Sequence, residues 1–267
     1  MARWERRLWE GDPSGMSKAD RASGAFETYI PDPVMGRIVP LATDTARLLA
    51  EADLAVAGIG WGDRSAHPGD LAGLLLRTEA AASSWIEGIP PRARQVAFAA
   101  LAQDEDDLKR PGEAARLVAN NIHIMRTAVA EMAGVGALTV KQLVGLQEDL
   151  VLDHRAHGLR RTQNWVGGSP YHPLGAAFVP PPPEIVQPLL EDLAAYLNDV
   201  SSPPLVQAGL AHAQFETIHA FPDGNGRVGR AVIRTVLARR GLTRGEVLPV
   251  SLVLMTRQDE YIAGLTA

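Results

Sequence analysis

Between His219 and Arg230 a twelve-residue run, His219-Ala220-Phe221-Pro222-Asp223-Gly224-Asn225-Gly226-Arg227-Val228-Gly229-Arg230, places an imidazole, a carboxylate, two glycines and two guanidiniums side by side. These residue types suit a phosphate site. Gly224 and Gly226 allow backbone conformations closed to other residues, so that consecutive N–H groups can turn inward around an anion. Arg227 and Arg230, three apart, share one helical face and can bracket further phosphate oxygens with forked, charge-assisted hydrogen bonds. Asp223 is a lone carboxylate beside them. One carboxylate plus phosphates and water is the usual way to hold Mg²⁺, whereas zinc wants more nitrogen or sulfur. His219 can accept a proton near neutral pH.

Helices must position this loop. Apolar residues recur at helical spacing from Leu205 to Ile218 and again at Val228, Ala231, Val232, Val236 and Leu237, so the run is a helix-loop-helix joint. The second helix would begin at the loop, where unsatisfied N–H groups and the helix dipole favour negative charge. Two rival chemistries fail on context. His212, Glu216 and His219 share a face, but a di-iron bundle needs a second Glu-x-x-His, which the chain lacks. A dinucleotide fold or P-loop needs the glycines to follow a β-strand, and here a helix precedes them. His212 then reads as a packing histidine, Glu216 as a residue that orients neighbours, and Phe221 as a core anchor.

Taken together, His-x-Phe-x-Asp-Gly-Asn-Gly-Arg-x-x-Arg resembles the signature of the Fic (filamentation induced by cyclic AMP) domain. The residue after the histidine is usually Pro and here is Ala220. The resemblance implies transfer of AMP from ATP to a Ser, Thr or Tyr hydroxyl of a target protein. His219 would be the base and Asp223 the Mg²⁺ ligand. Gly224, Asn225 and Gly226 would cradle the α- and β-phosphates, with Arg227 on the β- and Arg230 on the γ-phosphate. Ser83-Ser84-Trp85-Ile86-Glu87-Gly88, otherwise a helix end with an exposed glutamate, resembles the family's inhibitory motif. Ser83 and Glu87 would then be its inhibitory residues, with Glu87 forming an ion pair with Arg230 and keeping the terminal phosphate out.

Gly158 to Gly168 breaks the helical period and ends in a glycine pair, so it reads as a short β-hairpin. It resembles the Fic flap, which docks an extended target segment by strand addition; Thr162, Val166, Gly167 and Gly168 match flap positions that touch target or nucleotide. Arg257 to Leu265 resembles the adenine-side helix, with Tyr261 where a tyrosine pair is frequent and Ile262 in place of the second. The chain stops before the winged-helix domain that many Fic proteins carry, so that domain is expected to be absent or truncated. Removal of AMP, another Fic-type phosphotransfer, and a nucleotide-sensing regulator without turnover remain alternatives. A homodimer is a further expectation of the resemblance.

The remaining sequence sets the frame. The chain has 267 residues, 46% hydrophobic and 21% charged, enough for one large core or two modest ones. A net charge of −5 gives no basic face for nucleic acid or an anionic membrane. Cysteine is absent, which excludes disulfides and thiol catalysis; with no apolar leader or spanning run, a cytoplasmic protein is expected. Three regions are expected in a mainly all-α fold: an extended N-terminal arm over 1–40, either laid across the body or partly disordered, a helical region over 41–110 carrying the inhibitory motif, and a core over 111–267. Helices are predicted over Thr43–Ala57, from an Asp70 N-cap to Ile86, and over Arg94–Gln103, Gly112–Ala133, Val140–Leu152 with a Thr139/Gln142 capping box, and Glu184–Leu197. Asn120, Asn121 and His123 read as packing and hydrogen-bonding residues, and Pro180 to Pro183 as a rigid spacer.

Overall fold

The computed structural model describes residues 2–15, 17–19, 21–59, 68–89, 113–130, 132–134, 136–243 and 247–266. Within them lie two strands, β1 (Arg3–Trp9) and β2 (Gly24–Ile30), and nine α-helices. The helices are α1 (Thr43–Ile59), α2 (Pro68–Ile86), α3 (Glu113–Ala130), α4 (Val140–Leu150), α5 (Val186–Asn198), α6 (Pro204–Ile218), α7 (Asn225–Arg239), α8 (Val250–Thr256) and α9 (Gln258–Thr266). The mainly all-α class stands. The helix expected over Arg94–Gln103 falls outside the described residues.

The molecule is built around α7, which is buried from Asn225 to Leu237. Burial follows from its sequence: Val228, Ala231, Val232, Val236 and Leu237 meet Phe215, Ile218, Leu143, Leu150 and Leu190 in the main core. Phe215 and Phe221, both fully buried, lie with ring centroids 5.9 Å apart. Each removes a large apolar surface from water, worth about 1.5–3 kcal/mol. Helix α6 lies against α7, as do α3 and, less extensively, α2 and α4. A second cluster of Leu76, Ala80, Val118, Ile122 and Met125 fastens α2 to α3.

Local chemistry sets the helix ends. Gln142 Oε1 accepts from the Thr139 N–H at 2.8 Å at the start of α4, as the capping box requires. Helix α2 starts at Pro68, two residues before the expected Asp70 cap; a proline there has no N–H to leave unsatisfied. At its far end Gly88 takes φ +71° and donates to the Trp85 carbonyl, stopping the helix just past Glu87. Asn121 donates to the Ala80 carbonyl at 2.8 Å and to Ser84 Oγ at 3.0 Å, so it does the bracing expected of it.

Two expectations change. The first thirty residues are not a simple arm: β1 and β2 form an antiparallel ladder in which Arg3 faces Ile30 and Trp9 faces Gly24. The hairpin is anchored by Tyr29 N–H to the Val179 carbonyl at 2.9 Å, by Thr28 Oγ1 to the Pro180 carbonyl, and by a mutual cluster of the Trp4, Tyr29 and Phe178 rings. The segment 158–168, expected as a hairpin, makes one bridge, Val166 with Phe178. Gly167 and Gly168 follow at φ +71° and +76° and curl the chain, while Arg160 and Asn164 spend their side chains on the backbone near His219. The polyproline run acts as a spacer: the Pro180 and Pro181 carbonyls accept from Gln163 and Arg160, and Pro183 opens the turn into α5.

Candidate active site

Helix α6 ends at His219, which adopts φ 47° and ψ 55° and donates its N–H to the Phe215 carbonyl at 3.0 Å. Among the described residues it is the one non-glycine with positive φ. A residue so strained is kept only where its surroundings over-determine it. The turn throws the imidazole toward a cavity of about 360 Å³, lined by Glu87, Val166, Phe178, Glu216, Asp223, Gly224, Asn225, Gly226, Arg230 and Tyr261 among others. His219 Nδ1 lies 3.3 Å from the Glu216 carbonyl. A carbonyl only accepts, so Nδ1 carries the hydrogen and Nε2 keeps its lone pair. Burial lowers the His219 pKa, Arg160 lowers it further, and the Glu216 contact and Glu87 partly oppose them. The imidazole is therefore a neutral base at pH 7.

The loop itself is shaped by backbone needs. Gly224 sits at φ +88° with Leu150 beneath it, where a Cβ would fall 2.9 Å from a Leu150 methyl. The Val228 N–H makes the first helical bond, to the Gly224 carbonyl, so the N–H groups of Asn225, Gly226 and Arg227 form the open first turn of α7. That turn is an anion cradle by geometry and by dipole. Asn225 serves it differently from a direct phosphate ligand: its side chain accepts from Phe221 N–H and donates to the Phe221 carbonyl, both at 2.9 Å, closing the loop on itself. Gln147, not singled out from the sequence, donates to the Asp223 carbonyl at 3.2 Å and the Ala156 carbonyl at 2.8 Å.

Asp223 stands at the cavity wall, its side chain 58% exposed, with Oδ1 taking Gly224 N–H at 2.6 Å and Arg227 Nη2 at 3.2 Å. An exposed carboxylate beside a phosphate cradle fits a hard divalent cation, whose remaining ligands would be phosphate and water oxygens. Arg227 is buried behind it and does not line the cavity. Its Nε and Nη1 find no partner among the described residues, a cost that an arriving anion would relieve.

Arg230 is 1% exposed and held from the α2 side through Nε and Nη2. Its Nε donates to Ser83 Oγ at 2.9 Å, and Nη2 donates to the Ser83 carbonyl at 2.7 Å and to Glu87 Oε1 at 2.8 Å. Burial lowers its pKa, but its acidic neighbours, Glu87 first, outweigh burial and hold it above the ordinary arginine value. A Cβ on Gly226 would fall 2.1 Å from Glu87 Oε1, so the carboxylate lies directly over the first turn of α7. Glu87 thus occupies the cradle from the side.

Tyr261 closes the opposite wall. Its OH meets His212 Nε2 at 2.8 Å with the rings stacked at 15°, a pairing that sequence spacing does not reveal. His212 is pushed down to about 4 by burial, aided by Arg230, and stays neutral. Glu216, buried beside it, is pushed up to about 8 by burial and is protonated at neutral pH. His212 thus packs by stacking on Tyr261, the role expected of it. Val166 reaches the cavity, whereas Gly167, Gly168 and Thr162 are not among its lining residues; the Thr162 carbonyl accepts from Arg160 at 3.4 Å. At Gly168 a Cβ would meet Ala176 Cα at 3.0 Å, so the curl requires glycine. No helix among the described residues is long and apolar enough to cross a membrane.

The model of the Fic/DOC family matches residues 137–237. A probable protein adenylyltransferase of Aquifex aeolicus is 36% identical over 92 residues, 34% of this chain and 26% of that protein. Protein adenylyltransferase fic-1 of Caenorhabditis elegans is 34% identical over 106 residues, 39% of this chain and 18% of that protein. The matches thus span about a quarter or less of these relatives. A crystal structure of a Fic family protein from Desulfovibrio desulfuricans superposes with a TM-score of 0.65 at 24% identity, over 86% of this chain and 68% of that one. A fragment of C. elegans Fic-1 gives 0.62 at 18% identity, over 84% and 66%. The stretch similar to the Fic/DOC family, residues 137–237, holds His219 and the whole loop 219–230.

Proposed function

We propose that the protein is a self-inhibited protein adenylyltransferase, moving AMP from ATP to a hydroxyl side chain of a protein. The observation that carries the reading is the 2.8 Å contact of Glu87 with Arg230, directly over the anion cradle at the start of α7. A cradle that needs a built-in carboxylate to fill it is made for a polyanion. Triphosphate oxygens would take the N–H groups of Gly226 and Arg227, the free donors of Arg227, and Arg230 once Glu87 leaves.

With the triphosphate seated, the acceptor oxygen attacks the α-phosphorus as its proton passes to His219 Nε2. The α-phosphorus bond to the bridging oxygen breaks and pyrophosphate leaves. Mg²⁺ held at Asp223 would supply positive charge to the phosphates and the departing group. The cradle N–H groups and arginines stabilise the same charge without reorganising. The target segment lies along 162–168, and Tyr261 borders the base. Inhibition follows from competition: Glu87 neutralises Arg230 and repels the γ-phosphate that would replace it.

Label position tests the reaction class. Incubated with Mg²⁺ and ATP, the Glu87→Gly protein should acquire label from the α-phosphate and none from the γ-phosphate. Label from the γ-phosphate would mean phosphoryl transfer, and label from neither would sink the adenylyltransferase reading.

A further inference from the structure

Arg160 is a buried cation without a carboxylate of its own. It is 4% exposed, and Glu184, the carboxylate that bears on it electrostatically, is held by Arg7 at 2.8 Å. Its guanidinium is solvated by main-chain oxygens instead. Nε donates to the His219 carbonyl at 2.8 Å, Nη2 to the Ile218 carbonyl at 3.3 Å and to the Pro181 carbonyl, and Nη1 to the Thr162 carbonyl at 3.4 Å. Its own N–H donates to the Ala220 carbonyl at 3.0 Å. Asn164 adds two more bonds, to the His219 and Phe221 carbonyls, both at 3.2 Å. Burying a charge is costly unless its donors are met, and the carbonyl end of α6 is where a cation is best received.

Every acceptor lies on one of two bodies. Residues 218–221 are the turn that holds His219 in its left-handed conformation; residues 162 and 181 flank the segment that curls over the cavity. We propose that Arg160, seconded by Asn164, is a positioning residue that fixes the register between this flap segment and the histidine. The group that takes the acceptor's proton and the segment that seats the acceptor are thereby one rigid unit. The inference rests on the adenylyltransferase reading for its effect on turnover, but the stitch itself is independent of it. A lysine would keep the charge but cannot fork to four carbonyls.

The test uses the full chain carrying Glu87→Gly, with self-modification from MgATP as the readout. Arg160→Met should lower kcat by about 100-fold, the cost of roughly 1 Å of misplacement, while KM and Kd for ATP change less than about twofold. Arg160→Lys should fall between, and Asn164→Ala should lose about tenfold. Retained kcat, or kcat and ATP affinity falling together with Tm, would overturn the proposal. Should Arg160→Met fail to fold, Asn164→Ala decides by the same criteria. Amide hydrogen exchange gives a reading without turnover. Exchange should quicken at the Arg160 and His219 N–H groups while the middle of α6 keeps its protection, and unchanged exchange at both contradicts the stitch. If Glu87→Gly transfers no AMP, the functional reading fails and exchange alone still settles the inference.

Discussion

His219 draws its chemistry from backbone as much as from side chains. The Glu216 carbonyl fixes the tautomer, and burial keeps the ring neutral, so its proton affinity is set for accepting rather than holding a proton. The sign is definite: a lowered pKa preserves the base form to lower pH. The acid limb of kcat/KM for the Glu87→Gly protein should therefore have its midpoint below 6.5, with no loss from this group at pH 7 or above. A midpoint above 6.5 would remove His219 as the base. His219→Ala should cost on the order of 10² to 10⁴ in rate while ATP still binds. Gly226 makes a second residue-scale case. Its would-be Cβ meets only flexible side-chain ends, at 2.1 Å from Glu87 Oε1 and 2.9 Å from Arg230 Nη1. Gly226→Ala should still fold but with a lowered Tm, because displacing Glu87 from Arg230 outweighs the roughly 0.5–1 kcal/mol that alanine gains over glycine in a helix. In the Glu87→Gly background it should weaken ATP binding by about tenfold, roughly 1.4 kcal/mol, which calorimetry would read.

At the scale of elements, α2 acts as a clamp. Glu79, Ser83 and Glu87 recur every four residues and form one stripe. Glu79 accepts from Ser251 N–H at 2.7 Å at the start of α8, while Ser83 and Glu87 grip Arg230 on α7. Ser83→Ala would leave the buried Nε of Arg230 without its partner, at a cost of about 1–3 kcal/mol. Thermal unfolding should record that loss, and AMP incorporation should rise to a level between wild type and Glu87→Gly. Incorporation no higher than wild type would show that Ser83 is no part of the restraint. The stripe was readable from the sequence as far as the motif 83–88, because its residues are local. Glu79 was not, since its partners are main-chain groups 172 residues away that leave no trace in side-chain identity. The same holds for Arg160 and Asn164. The strands near the start did leave a signal, alternation of Phe26, Thr28 and Ile30 on β2, but the glycine and proline content of the first forty residues outweighed it.

For the whole molecule, the helices and the phosphate loop were legible because 3.6-residue periodicity and a compact run of special residues are local properties. How α2 meets α7 is a long-range fact. Its expected consequence, the pair between Glu87 and Arg230, is present in the fold across 143 residues of chain. The structure adds the location of the carboxylate over the first turn of α7, where the proposed function has it compete with the triphosphate for one binding place. Main-chain closure explains what else was hidden: the Asn225 side chain braces the loop through the Phe221 backbone, and the flap is stitched instead of laddered. The central claim is that competition. The direct measurement is the initial rate of α-labelled AMP incorporation with Mg²⁺ for the wild-type chain, for Glu87→Gly, and for Glu87→Gly with His219→Ala. Loss of one buried charge-assisted contact, about 1.5–3 kcal/mol, predicts a rate for Glu87→Gly roughly ten- to a hundredfold above wild type, abolished by His219→Ala. Equal rates for wild type and Glu87→Gly, or incorporation that survives His219→Ala, would contradict it.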